Sequence, residues 1–253
     1  MLRNGLKDKL IGLNKDFNYR GLEQSRIETF SDAVFALAIT LLVISTEVPN
    51  SFNEMKLFVY DIIPFGLCMA FIIYIWWEHF VFFIRFGLMN SKIVLLNGMV
   101  LFVVLFYVYP LRFLANLLVS IYANFIMQLF GSEQTTVYAI RQTIDPNDMP
   151  LLMIIYGAGA FLIFFILSLM YRYALKHRKE LELNDLEYFD SKTSYYVLVI
   201  MYSVPLLSVL FSLIFINYYW SGIISGFLYM IYPLVFAIFH NKRTRLRKKA
   251  LVN

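Results

Sequence analysis

Long apolar stretches alternate with short polar joints along this chain, and six of the stretches have the length and character of membrane-crossing helices. The first runs from Arg26 to about Val48 and is stopped by Pro49 and Asn50. The second follows Lys56 and continues to Arg85, broken early by Pro64. The third, from Lys92 to about Gln128, is longer than a bilayer requires and carries Pro110, which predicts a kink. A polar loop, Gly131 to Pro150, leads into the fourth, Leu151 to His177, where Gly157 and Gly159 predict close helix packing. After the charged connector HRKELELNDLEYFDSK, the fifth runs from about Thr193 to Ile216 around Pro205, and the sixth from about Trp220 to Phe239. The pattern predicts an all-α integral membrane protein of six transmembrane helices. Residues 26–240 form the membrane domain, preceded by a cytoplasmic or interfacial segment, 1–25, and followed by a basic cytoplasmic tail, 241–253. Scattered Leu6, Leu10, Ile11, Leu13 and Phe17 suit a short amphipathic surface helix in residues 1–25, or equally a frayed tail.

Composition agrees: of 253 residues, 60% are hydrophobic and only 15% charged, far more apolar than a soluble domain. The N-terminal segment has no apolar core of signal-peptide type, so nothing is expected to be removed and the first span directs insertion. Cys68, the single cysteine, reads as a small packing residue. The net charge of +5 is accounted for by orientation. With both termini cytoplasmic, nineteen of the 22 Lys and Arg fall inside, and only Lys56, Arg112 and Arg141 outside. The basic tail is therefore expected to meet anionic lipid rather than nucleic acid, in a bacterial inner or plasma membrane.

The first span is unusual. Its uncharged run, Ala33 to Thr46, is fourteen residues, or about 21 Å of helix against the ~30 Å of a bilayer core. The Arg26, Ser31, Asp32 end must then lie at or inside the membrane boundary, shielded by protein or water. Counting from the inner face, Asp32, His79 (six residues before Arg85) and Asn97 (five after Lys92) all sit at roughly 8 to 9 Å depth. Mutual satisfaction of these groups in an inter-helix brace is the first reading, and a proton or ion relay the second. Arg26 and Asp32 are about 240° apart round the helix, so their partners come from elsewhere. On the same wheel Ala33, Leu37, Thr40, Leu41 and Ile44 form one stripe, with Ser31 and Asp32 pointing away from it. Taken alone, that stripe is a lipid-facing or core face.

Familiar chemistries are missing from the sequence. TTVYA at Thr135 to Ala139 lacks the glycines of a carbonyl-cage potassium filter, and no span carries an arginine at every third position. Paired carboxylates at a membrane face, Cys/His metal spacing, a Gly-rich phosphate loop and GxSxG are all absent, so no enzyme, metal or cofactor is expected.

The R-x-x-x-F-S-D of Arg26, Phe30, Ser31 and Asp32, opening the first span, resembles the signature of the transmembrane-protein-175 family of potassium channels. Trp76 and His79 (W-x-x-H) and Leu96 and Asn97 (L-N) resemble the family's second and third helices. The likeness covers roughly the first 115 residues, and the motif occurs once, as in single-unit prokaryotic members. It implies a homotetramer whose first helices line a central potassium pore. The constriction would be made by Leu37, Leu41 and Ile44, with Thr40 adding a ring of hydroxyls, while Arg26, Phe30, Ser31, Asp32, Trp76, His79 and Asn97 form the brace. Two other readings stay open: a proton-coupled transporter using Asp32 and His79, and a non-conducting structural subunit.

Overall fold

The structure, a computed structural model, describes residues 17–44, 49–129 and 145–252. Among these residues it is all-helical: α1 (Arg26–Ile44), α2 (Phe52–Tyr60), α3 (Ile62–Phe86), α4 (Ser91–Leu129), α5 (Met149–Lys176), α6 (Asp185–Ile214), α7 (Trp220–Leu228) and α8 (Ile231–Val252). Six spans are long and apolar enough to cross a membrane: α1, α2 with α3, α4, α5 with the 3-10 turn before it, α6, and α7 with α8. The protein is a multi-pass membrane protein. Most of the predicted loop 131–150, residues 1–16 of the segment 1–25 expected as a surface helix or frayed tail, and the Thr135 to Ala139 segment lie outside the described residues.

Spans two and six are each cut into a nine-residue helix and a longer one. Both cuts have one cause. Pro64 and Pro233 occupy the third position of α3 and α8, and each ring excludes the carbonyl four residues back, that of Tyr60 or Tyr229, from the helix ladder. The missing N–H costs nothing there, because first-turn N–H groups have no intrahelical partner. Pro110 and Pro205, by contrast, lie inside unbroken helices. For Pro205 the reason is visible: the orphaned Met201 carbonyl accepts a hydrogen bond from the Tyr232 hydroxyl at 2.7 Å.

Helix starts are set by capping. At α1 the Ser25 Oγ accepts from the Glu28 N–H and the Glu28 carboxylate accepts from the Ser25 N–H, at 3.2 and 2.7 Å. Asn184 and Glu187 make the same reciprocal box, which starts α6 at Asp185, eight residues before the Thr193 expected from hydropathy. The expected tail is likewise helical: α8 continues through Val252. Arg247 pairs with Asp190 at 3.1 Å, and Arg243 lies over the Phe189 and Tyr196 rings, so part of the basic run returns to α6.

Residues 17–25 are neither a helix nor a frayed tail but a strap against the C-terminal end of α3 and the N-terminal end of α6. Gly21 donates its N–H to the Ile84 carbonyl at 3.0 Å and approaches so closely that a Cβ would stand 2.1 Å from the Phe83 carbonyl oxygen. Gly87 closes α3 at φ 58°, against Arg20, a conformation that favours glycine. Arg20 pairs with the buried Glu187 at 2.9 Å, and the Asn18 N–H donates to the same carboxylate at 2.6 Å. The chain leading into α1 is thereby tied to the start of α6.

The core lies between α1, α3, α4, α5 and α6, with Phe82 and Phe86 packed edge to face against Tyr171 at the C-terminal end of α3. Gly157 and Gly159 do admit close packing: a Cβ at Gly159 would lie 2.1 Å from the Tyr107 ring of α4, and one at Gly157 2.5 Å from Val209 of α6. Ser208, Ser212 and Ser225, all buried, hydrogen-bond α6 to α7. At the α2–α3 joint, Asp61 pairs with the buried Arg112 of α4 at 3.6 Å.

Candidate functional site

The site is built on α1, whose two faces differ. Glu28, Ser31, Val34, Phe35, Ala38 and Leu42 are buried against α3 and α4. That buried row is polar at the N-terminal end of α1 and apolar beyond it.

At the N-terminal end of α1 the hydrogen bonds run in one direction. Asn97 donates from Nδ2 to Ser31 Oγ at 2.9 Å, and Ser31 passes its own proton to the Ile27 carbonyl at 2.8 Å. That amide orientation turns the Asn97 carbonyl oxygen toward His79, 2.6 Å away, so His79 is the donor, from Nε2. His79, Asn97 and Ser31 are all at least 97% buried, and the chain of donors leaves none of these three contacts unpaired. The Phe35 and Phe83 rings flank the imidazole at 5.5 and 4.7 Å. At the next residue of α1, Asp32 accepts from Trp76 Nε1 at 2.8 Å and from Gln24 Nε2 at 3.1 Å.

The structure therefore brings together Ser31, Asp32, Trp76, His79 and Asn97. Arg26 and Phe30 are not part of that layer within one chain: both are exposed, Phe30 at 63%. They share a face with Leu37, Thr40 and Ile44. Leu37 and Ile44 are 50% and 66% exposed, while Leu41, at the edge of the stripe, is half-buried and packs on the core. The Thr40 hydroxyl donates to the Ala36 carbonyl at 2.9 Å, so its lone pairs remain on the exposed face.

Two contributors escaped the sequence reading. Gln24 holds the second carboxylate oxygen of Asp32, and Glu28 caps the helix from a buried position. The S-x-x-E spacing of Ser25 and Glu28 carries a readable signal, whereas nothing in the sequence marks Gln24. Asp32 and His79, the pair a coupled proton site would use, hydrogen-bond to different partners. Among the described residues no group of three or more His, Cys, Asp or Glu is placed to hold a metal ion.

Comparison with known proteins agrees with the geometry. The family model described as "Endosomal/lysosomal potassium channel TMEM175" matches residues 26–107, which hold α1 and every partner of its polar layer except Gln24. A protein of Marivirga tractuosa named "Potassium channel" is 44% identical over 246 residues, covering 96% of this chain and 97% of its own length. The solved structure of a threonine-to-alanine variant of the potassium channel MtTMEM175, in complex with a nanobody–MBP fusion protein, superposes with a TM-score of 0.80 at 44% identity. That match covers 93% of this chain and all of the solved one. The chain belongs to the TMEM175 family.

Proposed function

We propose that this chain is a potassium channel, a homotetramer in which the exposed face of α1 lines a central pore. One observation carries the reading: α1 is held on one side by directional hydrogen bonds and presents Leu37, Thr40 and Ile44, uncovered, on the other. An exposed apolar row with a hydroxyl in it is ordinary against lipid, but here it lies beside the family's motif. The potassium specificity named for the relatives is the natural cargo for such a pore.

Rings of Leu37 and Ile44, with Leu41 flanking them, constrict the path and gate it by dewetting. An ion crossing them sheds water against a surface that returns little, and potassium gives up water at lower cost than sodium. Thr40 offsets part of that cost. Its proton is engaged by the Ala36 carbonyl, so each copy presents oxygen lone pairs, the polarity a cation requires. The selectivity is modest, since no carbonyl cage contributes. Both termini face the cytoplasm of a bacterial plasma membrane, and the polar layer aims the stripe. Lys242 and Arg245, exposed on α8, are among the tail residues that meet anionic lipid.

The test is purified protein in planar bilayers under a potassium gradient. Unitary current steps support the channel, slow flux coupled to protons would indicate a transporter, and silence a structural subunit. In the same assay Thr40→Ala is expected to lower the potassium-to-sodium permeability ratio by roughly three- to tenfold, equivalent to about 0.7 to 1.4 kcal/mol. An unchanged reversal potential would remove Thr40 from the selectivity step.

A further inference from the structure

A cavity of about 580 Å³ lies between α3, α4, α5 and the α7–α8 joint, well away from the α1 stripe. Its size falls within the range of small-molecule sites, about 300 to 1,000 Å³. Cys68, Ile72 and Ile163 form a buried floor, while Leu67, Leu118 and Met230 form an exposed apolar rim. None of the described residues lining it is charged. Of the hydroxyls in the wall, that of Tyr107 is already engaged by the Ile155 carbonyl at 3.0 Å.

Depth decides what fills it. Cys68 lies midway along the second span, Ile163 midway along the fourth, and Pro233, also on the wall, midway along the sixth. The floor thus lies near the centre of the bilayer, while Leu118 of the rim lies near the end of the third span, so the groove runs from mid-membrane toward one interface and its floor meets neither water nor headgroup. The rim is continuous with the exposed apolar surface of the spans, so the cavity communicates with hydrocarbon. An empty space of this size forfeits dispersion contacts along its whole lining, and an uncharged wall complements an uncharged chain.

We propose that this groove is a binding site for one acyl chain of a membrane phospholipid, whose headgroup stays at the interface. The chain is a wedge between the half of the molecule that holds α1, namely α3 and α4, and the half formed by α5 to α8. Recognition is of the chain, so headgroup charge is immaterial and chain length is decisive. The site does not depend on how the channel conducts.

Gly226 supplies the test. It lines the cavity, and a Cβ added there would meet nothing within 4 Å, so Gly226→Leu is expected to place its side chain in the groove. Protein purified in detergent is followed by its melting temperature and by native mass spectrometry, with added dioleoyl-phosphatidylcholine, dioleoyl-phosphatidylglycerol or dihexanoyl-phosphatidylcholine. Both dioleoyl lipids are expected to raise Tm by about 5 °C and to leave one phospholipid retained per chain, and the dihexanoyl lipid to do neither. Gly226→Leu should melt higher than the native protein without lipid and lose both responses. The proposal is overturned if the short-chain lipid acts equally, if only one headgroup works, or if Gly226→Leu still responds as the native protein does. Should that variant not fold, Ala160→Leu, on the α5 wall of the same cavity, is read in its place.

Discussion

Leu37→Asn is expected to raise the current at a fixed potassium gradient by about tenfold, equivalent to some 1.4 kcal/mol off the barrier. Leu37 is half exposed on the α1 face and contributes one apolar surface per copy to the proposed constriction. A dry, narrow ring obstructs ions because water itself leaves it. An amide of similar size holds water by donating and accepting hydrogen bonds, so the ring stays wet at the same diameter. The substitution leaves the buried face of α1 untouched, because Ser31, Val34, Phe35, Ala38 and Leu42 lie on the other side. Stability should therefore change little while conductance rises and the preference for potassium falls. Unchanged single-channel current from an intact tetramer would show that this face does not line the pore.

Asn97→Leu attacks the opposite face and is expected to lower stability by about 2 kcal/mol, or about 4 to 8 °C in melting temperature. The loss is not one hydrogen bond but the orphaning of two groups, the His79 Nε2 proton and a Ser31 lone pair, both in a dry interior. A double-mutant cycle makes this specific. Ser31→Ala in the Asn97→Leu background should cost less than Ser31→Ala alone, because its partner is already gone. Additive losses, or an unchanged melting temperature for Asn97→Leu, would show that the chain of donors does not hold α1 in place.

The six spans were legible because a bilayer sets a length and an apolarity that few other environments demand. Depth was legible for the same reason, and counting inward from flanking charges sets His79 and Asn97 level with the start of α1. Azimuth was harder. Arg26 and Phe30 belong to the same short motif as Ser31 and Asp32, but Phe30 lies seven residues before Leu37, two turns away on the exposed face. Helix starts announced themselves in Ser25-x-x-Glu28 and Asn184-x-x-Glu187, whereas hydropathy drew the fifth helix too short because its first turns are charged. The prolines show where local sequence falls silent. Pro64 and Pro233 break their spans and Pro205 does not, and at Pro205 the difference rests on Tyr232, distant in sequence, which takes up the freed carbonyl. The strap before α1 depends in the same way on Glu187, 167 residues from Arg20.

The Asn97–Ser31 hydrogen bond also fixes an angle. Ser31 and Leu37 are six residues apart, so once Ser31 is turned toward α4, Leu37 is set about 120° away round the axis. Side-chain tips lie roughly 5.5 Å from that axis, and a rotation of about 20° sweeps them through about 2 Å. In a fourfold assembly every copy would turn in the same sense, like the leaves of a camera iris. The aperture at Leu37 and Ile44 would then be governed by the rotational setting of one buried amide, about 9 Å of helix away from the leucine it positions.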